Sequence, residues 1–261
     1  MTMTDTRNLE AFRARVDDLV RRHPVVTDNT YTAWFAQGEA TAAEARHLTV
    51  QFSVFSHLFV EAQLRKVINA ADVDTYRTGK EILMNELGVV FNGRPDGEGV
   101  SSEGTVEGSR YKHAAAHFEW LVRFAAPLGL AFGDLGKRRH GTPATLRFCD
   151  ELLRIYGSED ASTAEGASYA VENWAAAGFW KELIAGLSAF KERECPSLNL
   201  AFWTWHDRVE DQHAAHTVDE LEEAYGMPGF DEERFLAGAA EMLDGVKAFW
   251  DGLESDREAA A

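Results

Sequence analysis

Residues 41–70, TAAEARHLTVQFSVFSHLFVEAQLRKVINA, read as one long helix. Thr41 stands at its N-cap with Glu44 three residues on, the spacing of a capping box, in which each side chain takes a backbone N–H from the other's residue. An element of this length favours helical neighbours, and the rest of the chain supplies them. Only six prolines interrupt 261 residues. Leu9, Phe12, Val16, Leu19 and Val20 are spaced by three and four, the period of a helix with one apolar face. Further helical patterns cover 72–91, capped by Asp72 or Asp74, then 110–130, ending at Gly129, and 144–157, ending at Gly157. Three more follow: an Ala-rich stretch over 160–193, then 199–226 and 231–255. No stretch alternates convincingly as a strand, and no repeat is visible. The expectation is an all-α bundle of about seven to eight helices in a single domain over 1–261, with a frayed tail at 255–261.

Residues 92–109, NGRPDGEGVSSEGTVEGS, break the pattern. Glycine, serine and acidic residues dominate there, so a loop or flexible lid is expected.

Composition narrows the function. The chain is 45% hydrophobic and 11% aromatic, with seven Trp, which is ample for a core. A net charge of −17 argues against nucleic-acid and anionic-lipid partners, because both attract basic patches. No apolar run reaches transmembrane length and the N-terminus has no signal-peptide core, so a soluble cytoplasmic protein is expected. Cys149 and Cys195 form no C-x-x-C pair and read as two reduced thiols. There is no Gly-rich phosphate loop and no nucleophile-elbow motif.

The segment TWHDRVEDQH, residues 204–213, carries the chemistry. With each helical residue advancing about 100°, Glu210 lies near +40° and His213 near −20° from His206, so all three share a stripe. Two imidazoles and a carboxylate on one stripe suit a first-row metal; the other reading is a solvated acidic face. Phe202, Trp203 and Trp205 just before it predict burial, and buried polar groups need partners. One helix alone under-coordinates an ion, so ligands on facing helices are expected. Glu172 stands in an apolar stretch, Glu86 ends a helix, and His117 lies four residues after His113, one turn along a shared face. The basic turn 136–143, GKRRHGTP, reads as a helix C-terminal cap or as a grip for a substrate carboxylate or phosphate.

Glu86, His117, Glu172 and the H-x3-E-x2-H of 206–213 together resemble the haem-oxygenase-like di-metal oxidases, a superfamily shared with the TenA-type thiaminases, pyrroloquinoline quinone synthase and the CADD type. The resemblance covers roughly residues 40–250, and MNELG at 84–88 resembles the family's N-x-E-x-G. It implies a haem-oxygenase-like helical fold and an O2-dependent non-haem di-iron oxidoreductase of biosynthesis. It implies two iron ions, with manganese as the alternative metal, held by Glu86, His117, Glu172, His206, Glu210 and His213. Two departures stand out. Glu210 occupies the position where the family carries Asp, and the long stretch between Glu86 and His117 makes Glu107 a rival for Glu86 and His113 a rival for His117. The implied partners are a small-molecule substrate, perhaps amino-acid-derived by analogy, an external reductant and a second copy in a homodimer. Metal-free enzymes and non-catalytic binding proteins on the same scaffold are the alternatives, and the catalytic thiol typical of thiaminases is not evident.

Overall fold

The computed structural model describes residues 8–91 and 111–260; within these, the side chains of 90–91, 111–113 and 209–220 are outside the described set. The described residues form eleven α-helices and two short strands. The helices are α1 (Leu9–Arg22), α2 (Pro24–Thr27), α3 (Thr30–Phe35), α4 (Ala42–Ile68), α5 (Val73–Glu86), α6 (His117–Ala125), α7 (Pro143–Ile155), α8 (Ala161–Ala175), α9 (Phe179–Arg193), α10 (Ala201–Gly226) and α11 (Glu232–Ala260). Strands β1 (Val89–Phe91) and β2 (Tyr111–His113) pair antiparallel, with Val89 opposite His113.

α4 begins at the expected capping box. Thr41 N–H donates to Glu44 Oε2 at 2.7 Å, and Glu44 N–H donates to Thr41 Oγ1 at 3.3 Å. The helix has buried side chains around most of its circumference, as befits one packed against α5, α6 and α7. α11 lies across α8, α7, α3 and α1. α8 and α11 meet with the backbone of Gly166 against that of Phe235, leaving no room for a Cβ. One connected core runs through the bundle, with Trp203, Trp250, Tyr31 and Phe52 among its largest fully buried side chains.

Three departures from the sequence reading have local causes. Eleven α-helices among the described residues replace the expected seven to eight. The short α2 and α3 are too brief to show a period, and 160–193 is two helices, because Gly178 takes a left-handed φ of 112° and breaks the run. The helix expected from residue 110 starts at His117, because 111–113 pair with β1 and Glu119 accepts the Ala116 N–H at the new N-terminus. His113 and His117 therefore do not share a helix face. The frayed tail is helical to Ala260. Arg257 lies over the Trp34 ring at 4.6 Å and pairs with Glu254 at 2.6 Å, which ties the end of α11 to α3. Residues 92–109, and with them Glu107, lie outside the described residues. No described helix is long and apolar enough to cross a membrane.

Replacing Thr41 by Ala removes one half of the capping box. The expected cost is about 1 kcal/mol of stability, read as a lowered urea midpoint with unchanged m.

Candidate metal centre

A mainly apolar cavity of about 270 Å³ opens between α4, α5, α6, α8, α9 and α10. Its α5 wall presents Thr78, Glu81, Ile82 and Asn85, a helical stripe that ends at Glu86. Its α8 wall presents Ser168, Val171, Glu172 and Ala175, the same i, i+3, i+4, i+7 pattern. His117 enters from the start of α6 and His206 from α10. Phe52, Phe55, Trp174, Trp180 and Phe202 close most of the remaining surface.

The end of α5 and the start of α6 meet at Gly88. Its φ of 68° is left-handed, and a Cβ there would stand 2.6 Å from the Ala114 carbonyl oxygen. Ala114 N–H donates to the Gly88 carbonyl at 2.8 Å. Glycine thus lets the two chain segments touch, which brings the last residue of α5 beside the first of α6. His117 Nδ1 stands 3.1 Å from Glu86 Oε1, with His117 buried and Glu86 largely so. The distance is that of an ion pair, but Nδ1 is a buried atom with no aligned hydrogen bond. Donors held this close yet off a hydrogen-bond axis match two ligands aimed at a common third point: bonds of about 2.1 Å at a right angle separate two donors by roughly 3 Å.

His206 is oriented differently. Its Nδ1 lies 2.7 Å from the Phe202 carbonyl oxygen, which only accepts, so Nδ1 holds a proton and Nε2 is the ring nitrogen that would meet a metal. This is the arrangement in which a backbone carbonyl fixes the tautomer of a metal-ligating histidine. The ring stacks on Trp180 with centroids 5.0 Å apart and planes at 22°, and the His117 ring is 5.1 Å away, edge-on. Trp205 packs against both imidazoles, at 4.5 Å from His117 and 5.1 Å from His206.

Four of the six expected ligands, Glu86, His117, Glu172 and His206, therefore line one cavity. α10 is helical through 201–226, as the stripe requires, but the side chains of Glu210 and His213 are outside the described residues, as is that of the rival His113. Among the described residues no three His, Cys, Asp or Glu side chains converge closely enough to hold an ion. In donor chemistry the four residues fit a first-row metal: imidazole nitrogens and carboxylate oxygens in a largely apolar setting.

No protein-family profile matches the chain, and no curated protein does. Solved structures do match. A domain of unknown function with a heme oxygenase-like fold, from Shewanella denitrificans, superposes with a TM-score of 0.65 at 15% identity, covering 97% of this chain and 95% of that one. A CADD-like protein of unknown function from Nostoc punctiforme gives 0.64 at 17%, covering 97% and 96%. A TenA homolog from Pseudomonas syringae gives 0.69 at 12%, covering 98% and 100%.

This chain has the haem-oxygenase-like fold.

Within that fold the basic turn is not part of the cavity wall; its Thr142 caps the start of α7, and its basic side chains hold the loop that precedes it. Arg138 pairs with Asp150 at 2.8 Å, Arg139 and His140 both bond the Gly133 carbonyl, and Lys137 lies over the Phe132 ring at 5.0 Å. These contacts fasten the loop before α7. The nearby His57 is held below the usual histidine range by burial and then by Lys137. Glu81, Asn85 and Ser168 were missed as cavity residues. The α5 helix was visible in the sequence, but nothing there distinguished a cavity-facing Glu81 from a solvated one.

Neither cysteine lines the cavity. Cys149 is fully buried, and burial pushes its thiol up to about 12, while Cys195 is partly exposed. A disulfide-exchange reagent at neutral pH should therefore label Cys195 alone in the native protein and both thiols after denaturation. Blocking Cys195 should leave metal binding unchanged; loss of metal binding on blocking would bring a thiol into the site.

Proposed function

We propose that this chain is a non-haem di-iron oxidase or oxygenase, an enzyme that uses O2 to oxidise a small organic substrate held in the aromatic cavity. The observation that carries the reading is the gathering of Glu86, His117, Glu172 and His206 around that one cavity. His117 with Glu86, and His206 with Glu172, would hold the metal, with Glu210 and His213 on α10 completing the set. Iron, when bound, supplies the activation of O2 and the oxidising equivalents. Manganese suits the same donors.

The chain's own residues set the conditions for that chemistry. The Phe202 carbonyl accepts from His206 Nδ1, which orients the ring so that Nε2 is the nitrogen that would meet a metal. Trp180, Phe202 and Trp205 pack round the ring and limit its rotation. The Phe and Trp walls offer water few partners, which lowers the local polarity and strengthens polar contacts inside. The substrate therefore meets its reaction partners in an apolar chamber with polar groups on the α5, α6, α8 and α10 sides.

A second reading is a metal-free enzyme on the same fold. The likeness in fold to a TenA homolog is equally consistent with it. Metal stoichiometry separates the two. Anaerobic loading with Fe(II) should leave about two equivalents of tightly held iron per chain, as in other di-iron helical bundles. His117→Ala and His206→Ala should each lose most of that iron and of its O2-dependent oxidation, with the helical circular dichroism preserved. Tight iron below about 0.2 equivalents in the parent would remove the di-iron reading in favour of the metal-free one.

A further inference from the structure

Behind the α8 wall of the cavity lies a charge that the metal reading does not use. Lys66, near the end of α4, is 6% exposed. Burying an ammonium is costly unless it is paired and hydrogen-bonded. Glu165 supplies the pairing, with its Oε2 at 3.5 Å from Lys66 Nζ, and the Tyr156 ring lies beneath at 5.3 Å. A further Lys66 N–H donates to Ser168 Oγ at 2.8 Å. Ser168 is itself 3% exposed and lines the cavity.

This hydrogen bond decides what Ser168 can offer. An ammonium only donates, so the Ser168 oxygen is the acceptor and its own hydrogen remains to be given away. Buried hydroxyls on the neighbouring helix spend that hydrogen on their own backbone: Thr49 donates to Ala45 O and Ser53 to Val50 O, each at 2.6 Å. Ser168 makes no such bond among the described residues. Its O–H, polarised by the adjacent ammonium, is a donor at the cavity wall. Ser168 also precedes Glu172 by four residues, so the two stand one helical turn apart on the same face of α8.

We infer that Ser168 is a specificity-determining residue that donates to a carboxylate oxygen of the substrate, with Lys66 as the positioning residue that makes the hydroxyl a donor. The inference rests on the proposed function only in calling the cavity a substrate site. A carboxylate anchored at Ser168 would place the rest of the substrate along α8 toward Glu172 and His206, against the aromatic walls. The discrimination has a simple origin. A carboxylate accepts strongly from a polarised hydroxyl, whereas an alcohol of the same shape accepts weakly and brings a donor of its own.

Two probes of matched shape test this: 3-phenylpropionate and 3-phenylpropan-1-ol. Binding is read by quenching of tryptophan fluorescence, since Trp174, Trp180 and Trp205 line the cavity. The full chain is first dialysed against a chelator, so that no metal can hold the carboxylate. The parent should bind the acid at least about tenfold tighter than the alcohol, the scale of one charge-assisted hydrogen bond. Ser168→Ala, a small change in a helix, should bring that ratio to within about threefold and leave the alcohol's affinity unchanged. Lys66→Met should do the same, and its reading counts where its circular dichroism matches the parent's; Ser168→Ala decides the matter alone if it does not. A parent ratio below about threefold, or a Ser168→Ala ratio still near the parent's, would overturn the inference. Because no turnover or iron is involved, the ratio can hold in a protein that never binds iron, and it can fail in a working di-iron enzyme.

Discussion

The contact between the turn after α5 and the approach to α6 holds the candidate centre together. A left-handed residue without a Cβ at Gly88 lets the Ala114–Ala116 segment lie directly against it. Because Glu86 is two residues before this contact and His117 one residue after it, their side chains meet at 3.1 Å. Sequence distance is irrelevant to that meeting. Thirty residues separate the two in the chain, but the crossing makes them neighbours whatever the intervening segment does. The β1–β2 pairing continues the same contact outward, from Gly88–Ala114 to Phe91 opposite Tyr111.

The second half of the site depends on packing rather than on a turn. α10 opens with Phe202 and Trp203, both fully buried among Phe52, Phe124 and Trp180. That anchorage sets the rotation of the helix about its axis, and His206, one turn later, is carried into the cavity beside His117. Rings lie on three sides of the imidazole, and its Nδ1 is bonded to the helix backbone. Opposite, α8 is seated on α11 by the backbone contact of Gly166 with Phe235, and its other face brings Ser168 and Glu172 to the same chamber. The cavity is thus the place where four helices, the joined pair α5 and α6 together with α8 and α10, present their polar residues to each other.

How much of this was legible in the sequence follows from the range of each interaction. Thr41 with Glu44 is a contact within one turn, and it formed as its spacing predicted. The burial of Phe202 and Trp203 followed from an aromatic run, and Glu86, His117, Glu172 and His206 were recognisable as polar residues in apolar settings with a family resemblance behind them. The break at Gly178 was not legible, because a glycine inside an Ala-rich run is compatible with a continuous helix until its φ is known. The start of α6 was misplaced because residues 111–113 leave the helical pattern to pair with a strand distant in the chain, a tertiary choice with no local signal. Ser168 was invisible for the same reason. A serine among alanines looks like helix filler, and only the arrival of Lys66 from α4 gives it a role.

The proposed function stands on metal being held in this chamber by these side chains. Anomalous diffraction at the iron edge, from crystals of the full chain loaded anaerobically with Fe(II), addresses it directly. Two strong peaks are expected in the cavity, one at a bonding distance of about 2.1 Å from His117 and the carboxylate of Glu86, the other at the same distance from His206 Nε2. Well-ordered density for these side chains with no anomalous peak between them, or iron found only on the acidic surface, would contradict it.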